Sequence, residues 1–104
     1  MELREIASAG TMESSDIQIT LEPRTSGGIE IDLTSSVMNQ FGKQIYRLIR
    51  QTLEEMGVEN AYVNAVDKGA LDCTIKARVG AAVYRSAQSE DYTWRTKACL
   101  KRND

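Results

Sequence analysis

The chain has 104 residues, of which 41% are hydrophobic and 27% are charged, and its formal net charge is −2. These values fit one soluble domain with a modest core, and the mixed charges exclude the basic stripe of a nucleic-acid-binding face. No apolar run approaches the ~20 residues of a membrane helix. The N-terminus lacks an apolar segment of signal-peptide length, so we expect a cytoplasmic protein with no membrane or nucleic-acid partner.

The chain contains no histidine. The commonest general base and the commonest metal ligand are therefore missing, which excludes serine–histidine and cysteine–histidine catalysis. Cys73 and Cys99 lack the spacing of a zinc site, and a disulfide between them is not expected in a cytoplasmic protein. We expect no metal site, while carboxylate or lysine chemistry stays open at this point.

The first third of the chain predicts three strands. The segments "DIQITLE" (16–22) and "IEIDL" (29–33) alternate apolar and polar residues, as half-buried strands do. Pro23 and the turn cluster that follows it separate these two strands. The weaker strand candidate "EIASAGT" (5–11) is expected to pair with the first of them as a hairpin, with "MESS" (12–15) near the turn.

The segment from Val37 to Met56 predicts the clearest helix. The hydroxyls of "TSS" (34–36) are expected to cap its start, and Gly57 is expected to end it. Tyr46 points away from the apolar side and is expected to be exposed. The apolar residues fall on one arc about 120° wide at ~100° per residue. They are Val37, Met38, Phe41, Ile45, Leu48, Ile49, Leu53 and Met56.

The last part of the chain predicts a strand, a helix and a tail. "VENAYVNAV" (58–66) is rich in strand-forming residues. The next segment, 70–87, fits both a strand alternation and a helical stripe, and its length and alanine content favour a helix that leaves Cys73 off the apolar stripe. That stripe comprises Leu71, Ile75, Val79, Ala82, Val83 and Ser86. Residues 88–104 are polar and are expected to form a tail that is mobile, docks on a partner through Trp94, or folds back.

The predicted order β-β-β-α-β-α indicates a single α+β domain over residues 1–87. We expect a small, mostly antiparallel sheet with two helices packed on one face and an N-terminal hairpin that presents Ser14. From the residues alone, the turn from Glu13 to Asp16 is most simply an ordinary polar turn. The alternative is an exposed serine modified by another enzyme, which would supply the catalysis and make the missing histidine irrelevant.

Three segments carry a resemblance to a known family. They are "AGTMESSD" (9–16), "SSVMNQFG" (35–42) and "VDKGALDC" (66–73), the last followed by "ARV" (77–79). In order and spacing they resemble the acyl carrier subunit, the gamma chain, of citrate lyase, from near residue 7 to about residue 87. The resemblance implies a non-catalytic carrier subunit of a lyase complex, so that no residue of this chain is catalytic.

The resemblance also implies a cofactor and partners. A transferase would attach 2′-(5″-triphosphoribosyl)-3′-dephospho-coenzyme A (a dephospho-CoA derivative) to Ser14 through a phosphodiester. Ser15 would occupy a position at which the family allows a small residue. The arm would carry acetyl and citryl thioesters between an alpha subunit, which exchanges the acyl group, and a beta subunit, which cleaves citryl thioester to oxaloacetate.

The neighbouring residues keep two interpretations at this stage. Gly10 and Thr11 are expected to shape the approach to the hairpin. Glu13 and Asp16 are acids that either form the turn or are recognised by a partner. We do not rank recognition by a partner above turn formation. A second set belongs either to a subunit contact or to a strand-to-helix turn: Asp67, Lys68, Gly69 and Asp72. Gly69 would then permit a positive φ, and Asp72 would favour the helix start.

Three other functions remain as alternatives. The delta subunit of malonate decarboxylase uses a similar prosthetic group, although "DKGALDC" (67–73) favours citrate lyase. A plain interaction module would use the serine turn only as a turn. A free-standing enzyme would turn over substrate as an isolated chain.

Overall fold

The protein is described here by a computed structural model that covers residues 2–87. The elements are β1 (Ala7–Ala9), β2 (Ile17–Pro23), β3 (Ile29–Ser35), α1 (Met38–Glu55), β4 (Ala61–Asp67) and α2 (Asp72–Ser86). The order β-β-β-α-β-α and the α+β class are confirmed, as is the helical assignment after residue 70. The predicted tail at 88–104, including Trp94 and Cys99, lies outside the described residues.

The four strands form one sheet in the order β1-β2-β4-β3. β1 pairs with β2 in antiparallel fashion as the predicted hairpin, and β2 also pairs with β4 in antiparallel fashion, which the sequence did not predict. β3 and β4 are parallel neighbours because α1 connects them and returns the chain to the same end of the sheet. The sheet is therefore mixed and mostly antiparallel.

One face of the sheet is buried under the two helices. The register aligns Ile19 with Ala65 and Leu21 with Val63, so the apolar residues of neighbouring strands share this face. Both helices contact the sheet and each other. The fully buried large apolar side chains are Ile17, Ile19, Leu21, Ile49, Leu53, Val63, Ile75, Val79 and Val83. Burying each of these stabilises the fold by roughly 1.5–3 kcal/mol.

Helix α1 ends as expected but begins differently. Gly57 adopts φ +76°. Its N–H donates to the Glu54 carbonyl at 3.0 Å, and the Val58 N–H donates to the Leu53 carbonyl at 3.0 Å, which is a Schellman motif. The predicted hydroxyl cap is wrong, because the N-cap residue is Val37 and no side chain caps the helix. Ser35 still belongs to β3, and its hydroxyl accepts the Val37 N–H at 3.0 Å just outside the helix.

The predicted apolar stripes are too long at their N-terminal ends. Met38 and Phe41 are exposed, Phe41 to 46%, and the buried part of α1 begins at Gly42. Leu71 is 69% exposed because it precedes α2 in an extended conformation and so does not lie on the helical stripe. The expected exposure of Tyr46 and Cys73 is confirmed.

Candidate functional site

The loop that joins β1 to β2 lies at the end of the sheet where β3 and β4 also end. Ile17 at the start of β2 pairs with Asp67 at the end of β4. The loop closes in a turn whose Asp16 N–H donates to the Glu13 carbonyl at 3.2 Å. Ser15, the third residue of this turn, has φ +64° and is the sole non-glycine residue between 2 and 87 with a positive φ. A positive φ at this position alone is typical of a type II turn, with Ser14 at its corner.

The backbone after the corner is anchored to Lys68. The Ser15 N–H donates to the Lys68 carbonyl at 2.8 Å, and the Lys68 N–H donates to the Asp16 carbonyl at 2.9 Å. Two hairpin residues therefore oppose one residue of the segment after β4, and the first of the two has a positive φ, which defines a G1 β-bulge. The bulge fixes the backbone on one side of the Ser14 corner.

The Asp16 carboxylate holds the inside of the loop. Its Oδ1 accepts from the Ile17 N–H at 2.7 Å and from Arg78 Nε at 3.0 Å. Its Oδ2 accepts from Arg78 Nη2 at 3.0 Å, from the Thr11 hydroxyl at 2.7 Å and from the Thr11 N–H at 3.1 Å. The Thr11 hydroxyl in turn accepts the Glu13 N–H at 3.2 Å. Asp16 therefore joins both sides of the loop to helix α2.

These bonds change the interpretation of Asp16. Its side chain is only 12% exposed. Hydrogen bonds from the Arg78 guanidinium, the Thr11 hydroxyl and the Ile17 N–H hold the pKa of Asp16 well below its ordinary value. The charge of Asp16 is thus balanced inside the molecule. Arg78, which the sequence showed without a role, lies 62 residues further along the chain, and no local pattern signals the pairing.

Gly10 begins the loop at a position where any side chain would clash with the backbone of Ile17. Its φ is +92°, which side chains disfavour. A Cβ at this position would overlap the carbonyl oxygen of Ile17 and would also lie 3.2 Å from Arg78 Cδ. The expectation that Gly10 shapes the approach to the hairpin therefore has a steric basis.

Asp67 organises the neighbouring strand-to-helix turn. This residue is 1% exposed. Its Oδ2 accepts from the Ser35 hydroxyl at 2.8 Å and the Gly69 N–H at 3.1 Å, and its Oδ1 accepts from the Ala70 N–H at 3.0 Å. The Asp67 carbonyl accepts the Ser36 N–H at 3.1 Å. The buried carboxylate thus binds the end of β3 to the turn before α2.

Gly69 and Asp72, which the sequence also singled out, lie in and just after the same turn. Gly69 adopts φ +89°, as the turn interpretation requires. Asp72 lies in the first turn of α2 and accepts from Gln44 Nε2 at 3.3 Å, which joins the two helices. The segments 9–16, 35–42 and 66–73 therefore meet at one end of the molecule.

Ser14 belongs to the exposed part of this assembly, residues 11–15. Its hydroxyl makes no hydrogen bond with any residue between 2 and 87. In the same part of the chain, no three carboxylate or thiol side chains are grouped so as to hold a metal ion. A hydroxyl without a neighbouring base is not an activated nucleophile, but a second enzyme can reach it on such a loop.

Comparisons with known proteins give relatives along most of the chain. A family model described as malonate decarboxylase delta subunit (MdcD) matches residues 4–86. The citrate lyase acyl carrier protein of Lacticaseibacillus casei (strain BL23) is 58% identical over 94 residues, covering 90% of this chain and 92% of the relative. That of Streptococcus equi subsp. equi (strain 4047) is 55% identical over 95 residues, covering 91% and 93%.

One solved structure shares the fold. It is a chain of the crystal structure of a Pseudomonas malonate decarboxylase hetero-tetramer in complex with malonate. The TM-score is 0.67 at 23% identity, covering 79% of this chain and 84% of that chain. At this identity the likeness shows the fold alone.

The fold, the exposed loop and the relatives together define an acyl carrier protein, a non-catalytic carrier subunit of a lyase complex, in a class that implies a covalently attached prosthetic group. Within that class, the chain belongs to the family of citrate lyase acyl carrier proteins. The resemblance inferred from segments 9–16 and 66–73 is thereby confirmed. Neither helix in residues 2–87 has the length and apolar character needed to cross a bilayer.

Proposed function

We propose that this chain carries acyl groups for citrate lyase on a prosthetic group attached to Ser14. The observation that supports this is the position of the Ser14 hydroxyl at the corner of the bulged hairpin, exposed and unbonded among the described residues. The donor would be 2′-(5″-triphosphoribosyl)-3′-dephospho-coenzyme A. The Ser14 hydroxyl would replace diphosphate at its α-phosphorus, so that a phosphoribosyl-dephospho-coenzyme A group remains joined by a phosphodiester. When bound, this group supplies a thiol that holds acyl groups as thioesters.

Both serine side chains are exposed, and the preference for Ser14 rests first on the resemblance, in which the serine after "GTME" (10–13) bears the group. The backbone geometry is consistent with this preference. The Ser15 N–H is engaged by Lys68, and its φ of +64° serves the bulge. Ser14 stands one residue outside this anchored segment, so a bulky group on its hydroxyl leaves the bulge and the Asp16 network intact. The loop fits an attached arm for this reason.

In this proposal the chain performs no bond chemistry. The alpha subunit exchanges the acyl group, the beta subunit cleaves the citryl group, and a transferase attaches the arm. The chain holds the attachment point at a fixed place while the arm reaches each active site. A short tether of this kind gives roughly millimolar effective concentrations, so acyl groups stay near both partners.

A carrier role in malonate decarboxylase is the second candidate. The description of the matching family model favours it. The citrate lyase relatives are 58% and 55% identical, against 23% for the malonate decarboxylase chain, and this difference favours citrate lyase. Reconstitution with citrate lyase alpha and beta subunits separates the two, since only a citrate lyase carrier is expected to restore citrate cleavage.

The proposal predicts that Ser14→Ala abolishes modification. The carrier would be purified from a citrate-fermenting host and measured by intact mass, with Ser15→Ala as the matched control. We expect the wild type and Ser15→Ala to carry one added dephospho-CoA-type group and Ser14→Ala to carry none. An unmodified wild type, or modification that follows Ser15, would contradict the proposal.

A further inference from the structure

Lys68 lies directly opposite the bulge beside Ser14. Its backbone N–H and carbonyl bind Asp16 and Ser15, so the position of its Cα relative to the loop is fixed. Its side chain is exposed. In the described part of the chain, the Lys68 ammonium makes neither an ion pair nor a hydrogen bond. The fold thus places a positive charge next to the corner that makes no ion pair among residues 2–87.

The other charged side chains near the Ser14 loop are either already bound within the protein or negatively charged. The Arg78 guanidinium binds both oxygens of Asp16. Asp67, which precedes Lys68, is buried and bound by a hydroxyl and two backbone N–H groups. Glu13 is an exposed acid beside Ser14. Lys68 is therefore an available cation at this position, while Glu13 would oppose a new negative charge.

We propose that the Lys68 ammonium binds the phosphodiester that joins the prosthetic group to Ser14. This inference rests on the proposed function. Attachment turns a neutral hydroxyl into a group with one negative charge and free oxygens, and lysine is a common point-charge ligand for phosphate. Binding at Lys68 holds the base of the arm on the Lys68 side of the hairpin and offsets the repulsion from Glu13.

The reactivity of the lysines in the intact carrier tests this inference. The full chain with its prosthetic group, and the unmodified Ser14→Ala chain, would be acetylated at trace level and digested, and acetylation would be read by peptide mass. Lys76, an exposed lysine on α2, is the internal control. We expect Lys68 acetylation to be roughly two- to five-fold lower in the modified chain, the range of an exposed ion pair, with Lys76 unchanged.

Salt distinguishes binding from simple shielding by the arm. At 1 M salt the screening length is about 3 Å, so an ionic contact loses its protection whereas steric cover does not. A modified chain with an unchanged ratio of Lys68 to Lys76 acetylation would overturn the inference while leaving the proposed function standing. Protection that survives 1 M salt would also overturn it. A wild type without added mass would overturn both.

A second measurement uses variants of the modified carrier. Lys68→Gln is expected to move the phosphorus resonance of the phosphodiester, while Lys68→Arg and the control Lys76→Gln leave it in place. Thermal unfolding of Lys68→Gln should match the wild type, because the side chain has no bonding partner among residues 2–87. An unmoved resonance in Lys68→Gln would contradict the inference. If the transferase fails to load Lys68→Gln, the acetylation of the wild type still decides the question.

Discussion

Ser15 holds a backbone conformation that glycine adopts far more easily. Its φ of +64° is required by the turn and by the bulge together. The left-handed region costs an ordinary residue about 1–2 kcal/mol. The strained residue is adjacent to Ser14, the proposed attachment residue. Its backbone conformation defines the turn from which Ser14 projects.

Ser15→Gly is therefore expected to stabilise the fold by about 1 kcal/mol, because it relieves this strain without removing a bond. Urea unfolding measures the change. Ser14→Gly is the matched control, and since the φ of Ser14 is not positive, it should gain no stability. Intact mass should show Ser15→Gly still modified. Equal changes in the free energy of unfolding for Ser15→Gly and Ser14→Gly would show that Ser15 is not strained.

Asp16 makes the stability of the fold depend on pH. The Arg78 guanidinium keeps the folded-state pKa of Asp16 well below the ordinary 3.8, which the unfolded chain retains. As pH falls through the ordinary value the unfolded chain takes up the proton first, so stability present at neutral pH is lost on the acid side. Asp16→Asn should lower stability at about pH 7 and flatten its decline towards about pH 3.

Urea unfolding across this pH range measures both effects. Glu13→Gln is the control, because it removes an exposed carboxylate of the same loop that takes no part in the Arg78 contact. An Asp16→Asn chain with the same acid-side slope as the wild type would show that the ion pair does not carry the dependence.

Ser14 and Asp16 show which residues of the site the sequence could and could not predict. Ser14 was identified because its neighbours form a continuous motif. The role of Asp16 was missed, since a short acid in a turn is normally exposed and its partner Arg78 is 62 residues away. No local pattern encodes such a pair, which exists only once β2 and α2 have packed together.

At the scale of elements, periodicity predicted the strands and helices well. Alternation marked β2 and β3, and the apolar arc marked α1. Pairing between strands was not predictable in the same way, because β4 lies between β2 and β3 in the sheet although it follows both in sequence. The exposed first turn of α1 was missed for a related reason: an apolar stripe shows which side of a helix packs, but not where along its length the packing begins.

The hairpin loop gives a matched test of steric fit. Gly10 and Gly69 have nearly equal positive φ values, +92° and +89°, but only the Cβ of a residue at position 10 would meet other atoms within 4 Å. Gly69→Ala should cost about 1–2 kcal/mol from its backbone conformation alone. Gly10→Ala should cost clearly more, because it also overlaps the Ile17 carbonyl.

Urea unfolding compares the two alanine variants, and intact mass reports whether each is still loaded. We expect Gly10→Ala to reduce loading as well, since the loop must shift to admit the Cβ. Equal stability losses for Gly10→Ala and Gly69→Ala would contradict the close approach of Gly10 to the strand.

At the scale of the whole molecule, the start of the described chain is hydrogen-bonded to its end. The backbone N–H groups of Arg4 and Glu5 donate to the Ser86 carbonyl at 2.8 and 3.0 Å, and the buried Ser86 hydroxyl donates to the Glu5 carbonyl at 2.5 Å. The end of α2 is thereby joined to the start of the chain. The carrier domain over residues 1–87 stays a prediction, and we propose that this junction lets it fold without the residues that follow.

A chain that ends at Ala87 is accordingly expected to unfold cooperatively, with a midpoint within a few degrees of the full chain, because buried contacts and not sequence position decide tolerance to truncation. Circular dichroism during heating measures this. A chain that ends at Gly80 should fail to fold, since it loses the buried Ala82, Val83 and Ser86. A truncated chain to Ala87 that is largely unfolded would contradict the domain boundary.

The Asp16–Arg78 pair also makes the shape of the Ser14 loop depend on the folding of α2. The loop that displays Ser14 takes its shape from a residue near the far end of the described chain, so the loop cannot be complete while α2 is absent or unfolded. Under the proposed function, a transferase that recognises the shaped loop would therefore modify only chains in which α2 has already folded onto β2. Attachment of the prosthetic group to Ser14 would then depend on completed folding.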